Sequence, residues 1–265
     1  DLLDIIRFAV QSGGFIDAVA EAEAFTGGPV VQRRAHFRTD RPLSVNHARM
    51  ASRLYSDGVP IAGTLGGAYL IGRHIDPMCA PGLRFMPRCY CRPTPDSDRT
   101  AWPTIIAPVT NDAGTLKGVQ RLYLDQLMSD DLRLGKAPLD RPKRSLGHVH
   151  GNTVKFGEPA ATVAIAEGIE NALSVRTAIP DLTCYAALSA GNLAIFAPPP
   201  SVRRLLIALD DDDAGRWAAR TLAERCRLAG LPVTLLTPRC EDHNLDLRTL
   251  GLAAYRALLR QRLAT

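Results

Sequence analysis

Apolar residues change their spacing along this chain of 265 residues, and the changes divide it into three parts. Phe15–Phe25 repeats at helical period and stops at Gly27-Gly28-Pro29, which predicts a helix and a break. Residues 30–43 are Arg-rich with two prolines and read as a linker. Ser44–Asp57 and Leu65–His74 return to helical period, with Gly58-Val59-Pro60 between them. From Leu83 the runs shorten. Leu83–Met86, Pro103–Val109 and Thr115–Leu124 are β-rich, and Asn111-Asp112-Ala113-Gly114 marks a hairpin turn. Along the last run Lys117, Val119, Arg121 and Tyr123 alternate with Leu116, Gly118, Gln120 and Leu122, so one strand face carries a Lys and an Arg.

Beyond residue 160 strands and helices alternate. Val163–Ala166, Thr183–Ala187, Arg203–Leu209 and Pro232–Thr237 are strand runs; Glu170–Ala178, Ala214–Leu228 and Arg248–Leu263 are helical. Such alternation predicts a mostly parallel sheet with helices on both faces. The fold expected is an α+β lobe followed by a Rossmann-like α/β domain, with divisions at 1–43, 44–157 and 158–265.

Two strand ends in the last part carry the chemistry. Leu205–Leu209 runs into four carboxylates, Asp210 to Asp213, then Ala214-Gly215. Adjacent aspartates repel one another, and a divalent cation with hard oxygen ligands holds such a cluster together; Mg²⁺ suits it. The competing reading is an acidic helix N-terminus favoured by the helix dipole. Val163–Ala166 likewise ends in Glu167-Gly168. Two strand–acid–glycine–helix units place Glu167, Asp210 and Asp212 at one edge of the sheet, where open α/β sheets build their sites. Asp211 and Asp213 then point away, with Asp213 as helix N-cap. Asp242, Asn244 and Asp246 follow the fourth strand and either reach that edge or cap the final helix.

Charge is divided unevenly. Lys and Arg exceed Asp and Glu by 32 to 27, yet residues 158–265 hold 12 Arg against 12 acids. The excess therefore lies before them, and all four lysines, Lys117, Lys136, Lys143 and Lys155, sit in one segment. A basic lobe beside an acidic cluster suits a polyanion that lies across the first and reacts at the second. Six cysteines without a CxxC pair read as reduced thiols of a cytoplasmic protein. No apolar run is long enough for a membrane span, and no Walker A, Gly-x-Ser-x-Gly or His-Glu-x-x-His pattern occurs. His148 and His150 lack a third zinc ligand, and His243 is expected in a solvated loop.

Glu167-Gly168 followed by Asp210-x-Asp212-x-Ala214-Gly215 resembles the TOPRIM domain of topoisomerases, bacterial-type primases and some nucleases. The flanks AEGIENALS, YAALSAGNL and EDHNLD are most similar to the TOPRIM primases of plasmids, phages and integrated elements. The resemblance covers roughly residues 160–250, and looser motifs extend it over 83–150. One departure is visible: the aspartate that many replicative primases carry four residues after the glutamate is here Asn171, with Glu170 before it.

The resemblance implies a DNA-dependent primase core that makes short RNA primers on single-stranded DNA from nucleoside triphosphates. In that family the aspartates hold Mg²⁺ or Mn²⁺, and the glutamate holds metal or aids deprotonation of the 3′-hydroxyl. It places Asp210 and Asp212 in the first role and Glu167 in the second. Arg121, Lys136, Lys143 and Arg144 take the place of the basic strip that faces the metal site, and Gly168 allows close approach to phosphate. Glu170, Asn171, Asp242 and Asn244 are accessory candidates. The opening, DIIRFAVQSGGFIDAVAEAEAFTGG, resembles the stretch after the family's zinc module, so zinc is expected only upstream of this chain. A replicative helicase is an expected partner. A TOPRIM nuclease and a non-catalytic nucleic-acid-binding module are the alternatives; the basic lobe argues against the first and the intact acids against the second.

Overall fold

The computed structural model describes residues 45–94, 97–128 and 134–263. The helix expected over Phe15–Phe25 and the Arg-rich stretch 30–43 lie outside them.

The first part opens with helix α1 (Val45–Asp57), the short β1 (Val59–Pro60) and α2 (Leu65–Gly72). Thr64 caps α2 by accepting the Gly67 amide. A single 3₁₀ turn (Pro77–Cys79) leads into β2 (Arg84–Cys91), β3 (Thr100–Thr110), β4 (Leu116–Met128), β5 (Leu134–Lys136) and β6 (Lys143–Gly147). Six strands form one antiparallel sheet in the order β1-β2-β3-β4-β5, with β6 also on β4. The Asn111–Gly114 turn is closed by the Asn111 side chain, which accepts the Thr115 amide at 2.9 Å.

Alternation decides what each strand offers. On β4, Leu122 and Leu124 join the main core, whereas Val119 and Tyr123 face the other way, Val119 packing with Ala51 of α1. β6 pairs with β4 as Lys143↔Leu122 and Arg144↔Arg121. Lys143 therefore shares the core-side face with Leu122, and Arg144 shares the opposite face with Arg121.

The second sheet runs β11-β10-β8-β9-β7. Its members are β7 (Val154–Phe156), β8 (Thr162–Ala166), β9 (Thr183–Ala186), β10 (Arg204–Ala208) and β11 (Val233–Leu236). All pairings are parallel except β7 with β9. Helices α3 (Ile169–Ala178) and α6 (His243–Leu263) cover one face. Helices α4 (Ala190–Ile195) and α5 (Asp213–Leu228) cover the other. Each central strand feeds both layers: Leu206 and Ala208 of β10 enter one core, and Leu205 and Ile207 the other. That two-sided burial is why these strands read as unbroken apolar runs.

Two boundaries differ from the sequence reading. The last helix begins at His243, ahead of the expected Arg248, and breaks at Gly251, whose φ of 76° no helix accommodates. β7 lies before residue 158 yet belongs to the second sheet. A bridge between Thr110 and Thr153 ties it to β3, and one apolar core runs from Phe85 and Ile105 through Phe156 to Leu173 and Leu206.

Candidate functional site

β8 and β10 are in register, Ala166 beside Ala208, so Glu167 and Leu209 leave the sheet side by side and Asp210 follows. Asp210 lies on the α3 side: Asn171 Nδ2 donates to its Oδ1 at 2.7 Å. Asn171 Oδ1 in turn accepts the Asn244 amide at 3.0 Å. The Asn244 side chain accepts from Arg73 and donates to Ser174 Oγ and the Arg73 carbonyl. Asn171 is thus a relay between Asp210 and the start of α6.

Burial pushes the Asp210 carboxyl up to about 6, with Glu167 and then Asp242 and Asp212 adding to it and the Asn171 bond opposing. Glu167 is also raised, by burial and then by Asp212, while Lys143 lowers it. The acids of this edge feel one another, and the charge of Lys143 opposes their effect on Glu167.

Four adjacent aspartates divide their work differently from the pattern expected. Asp212, not Asp213, is the N-cap of α5 and accepts the Gly215 amide at 2.7 Å. Asp211 and Asp213 both pair with Arg216, at 2.8 and 2.7 Å. Gly215 is the close approach that this turn requires: a Cβ there would run into the Asp210 backbone. The glycine singled out for phosphate is not demanded by sterics, since a Cβ at Gly168 meets nothing nearer than 3.9 Å.

Among the described residues no three Asp, Glu, His or Cys side chains gather closely enough to hold a metal ion. The donor chemistry nevertheless suits a hard divalent cation. Glu167 and Asp210 are partly buried acids, Glu167 raised by Asp212 and Asp210 by Glu167, the condition a cation relieves.

The lysines converge on a different carboxylate. Glu170, in the first turn of α3, is 6% exposed. Lys143 Nζ stands 3.0 Å from its Oε2 and Lys136 Nζ 3.5 Å from its Oε1. Tyr69 donates its hydroxyl to Oε1 at 3.2 Å. Despite burial, the two ammonium groups hold Glu170 at about 2. Desolvation lowers Lys136, with Lys143 and Arg73 adding to it and Glu170 opposing. The sequence offers no local sign of this cluster, because its members lie on four separate elements.

Arg121 and Arg144 do not join them, because strand alternation turns both to the opposite face. Arg144 donates to the carbonyls of Arg141, Arg92 and Pro93. Arg121 donates to the Ser145 carbonyl and lies over the Tyr123 ring. Asp242 caps α6 by accepting the Leu245 amide at 2.7 Å, and Asp246 accepts the Arg239 and Cys240 amides. His243, expected in solvent, is fully buried between Tyr255 Oη and the Leu236 carbonyl, both at 2.8 Å.

Residues 162–253 match the Toprim domain family, and residues 45–156 match a domain of unknown function, DUF7146. No curated protein matches the chain by sequence. Several solved primase structures share the fold. A DNA primase domain from Pseudomonas aeruginosa aligns with TM-score 0.51 and 17% identity over 81% of this chain and 78% of that one. The DnaG catalytic core aligns with TM-score 0.52 and 14% identity, covering 81% and 79%. The Aquifex aeolicus primase, comprising zinc-binding and RNA polymerase domains, aligns with TM-score 0.50 and 16% identity, covering 98% and 70%.

Proposed function

We propose that this chain, a Toprim domain set behind an α+β lobe in the fold of the DnaG-type primase core, makes short RNA primers on single-stranded DNA. The observation that carries this reading is the reach of Lys143, from the first sheet, to Glu170 at 3.0 Å in the helix that follows Glu167-Gly168. A nucleotidyl transfer needs cations on the phosphates and acids that gather charge at the attacking and leaving oxygens.

Glu167 and Asp210, with Asp212 beside them, are the residues that would hold Mg²⁺ or Mn²⁺. When bound, the cation neutralises charge on the transferring phosphoryl group. The rest falls to the chain itself. Glu167, held partly buried and raised, is suited to accept a proton from the 3′-hydroxyl as well as to bind metal. Lys143, 41% exposed, has donors to spare for a triphosphate or template phosphate. Asn171 and Asn244 hold Asp210 against α3 and α6 without adding a negative charge. The template is single-stranded DNA gripped by its backbone, because no recognition helix is present among the described elements. A replicative helicase belongs to this reading as partner, and the cytoplasm as compartment. No described helix is long and apolar enough to cross a membrane.

Incubation with single-stranded DNA, labelled nucleoside triphosphates and Mg²⁺ or Mn²⁺ should give short oligoribonucleotides. Their absence with every template, or cleavage of the template in their place, would overturn this reading in favour of a binding module or a nuclease.

A further inference from the structure

Lys136 and Lys143 come from strands β5 and β6, which pair with different stretches of β4. Two ammonium groups this near repel each other, and Lys136 is partly desolvated besides. What joins them is one carboxylate from the other sheet's first helix. Glu170 gives one oxygen to each lysine, and Tyr69 of α2 fixes the Oε1 side. Tyr69 is itself fully buried and lies beneath the Arg73 guanidinium, 5.2 Å from its ring. Glu170 thus has little freedom to move. A cavity of about 30 Å³, room for roughly one water, adjoins the cluster and is lined by Tyr69, Leu122, Lys143 and Glu170.

The charge count matters. Two lysines hold the one carboxylate of Glu170, and Arg73 lies over Tyr69 beside them, so the cluster itself stays positive. Lys143 spends one donor on Glu170 and keeps two, Lys136 holds it as an ion pair, and the side chains of Lys136 and Lys143 remain 34% and 41% exposed. We propose that Glu170 is a positioning residue. It clamps Lys136 and Lys143 into a fixed pair whose remaining donors receive the terminal phosphates of a nucleoside triphosphate. The clamp rests on the primase reading for the identity of its ligand. Its own content is that a buried anion strengthens the binding of another anion.

That claim gives a test by sign. Glu170→Gln removes a negative charge, so a cluster acting only through its field should bind anions more tightly. A clamp predicts the reverse, because the freed lysines separate. Binding of inorganic tripolyphosphate to the full chain is measured by titration calorimetry, apart from any synthesis. The expected result is weaker binding by about tenfold in Glu170→Gln, as a coupling of about 1.4 kcal/mol implies. Glu170→Asp should recover part of it, and Glu170→Gln should add little once Lys143 is alanine. Should Glu170→Gln melt, Tyr69→Phe loosens the same carboxylate more gently and should weaken binding in the same direction. Unchanged or tighter binding in folded Glu170→Gln, an equal loss on top of Lys143→Ala, or no tripolyphosphate binding by the native chain would each overturn the clamp. Primer synthesis by the native chain decides the primase reading separately.

Discussion

Asn171 Nδ2 lies 2.7 Å from Asp210 Oδ1 and donates to it. An aspartate at this position would oppose the carboxylate it now supports. The amide steadies one strand-end acid without adding a second negative charge, in a cluster where Glu167, Asp242 and Asp212 already raise Asp210.

Stability should therefore depend on pH through Asp210 with an unusual sign. Its folded value of about 6 lies above the ordinary 3.8. The charged form is penalised in the folded state, so the cost is complete above about 6 and disappears as pH falls toward 3.8. Partial solvent exposure holds it to about 1–2 kcal/mol. Asp210→Asn should raise the melting temperature at pH 7.5 and raise it far less at pH 4.5. A variant less stable than the native chain at pH 7.5 would contradict this.

Glu170 acts in the opposite sense. Held at about 2, below the ordinary 4.5, it stabilises fully above 4.5 and loses that contribution as pH falls toward 2. Acid unfolding followed by circular dichroism should begin below pH 4.5, and Glu170→Gln should flatten the curve there.

A divalent cation should relieve the repulsion between Glu167 and Asp210. Mg²⁺ or Mn²⁺ at about a hundred times its dissociation constant should stabilise the fold by about 2.7 kcal/mol. Thermal melts with and without the cation measure this. The gain should vanish in Asp210→Asn and survive in Asp211→Asn, whose carboxylate is paired with Arg216.

Lys143 and Arg144 are neighbours with opposite duties. Lys143→Ala should weaken binding to single-stranded DNA and reduce the slope of affinity against salt by about one. Arg144→Ala should leave that slope alone and cost about 1–2 kcal/mol of stability, since its donors hold the Arg92–Pro93 carbonyls. Binding at several salt concentrations, with a melt of each variant, separates the two.

Gly215→Ala forces a Cβ against the Asp210 carbonyl. The turn or the start of α5 must shift, at an expected cost of about 1–3 kcal/mol. Primer synthesis should fall more than stability explains, because the atom displaced belongs to Asp210.

How far the sequence reveals this arrangement follows from the range of each interaction. The two strand–acid–glycine units are plain because β8 and β10 are buried on both faces and their polar ends are abrupt. The Asn111 turn is plain because its signal is local. The duties of Asp210 to Asp213 are not: four identical residues leave the choice of N-cap to the chain's exit angle, and Asp212 takes it. Nor is the face of Arg144, which depends on its register with Arg121. The Lys136–Glu170–Lys143 cluster spans two sheets, and no periodicity encodes it. His243 looks like a loop residue until Tyr255 and Leu236, distant in sequence, are seen to enclose it.

The Thr110–Thr153 bridge and the continuous core around Phe156 join the two sheets directly. Close-packed interiors of this kind do not bend gradually. Lys143 and the acids at the ends of β8 and β10 therefore take their placement from elements packed on that one core. On the primer-synthesis reading, a strand of nucleic acid would meet a site already shaped by the fold, and selectivity would come from what fits it.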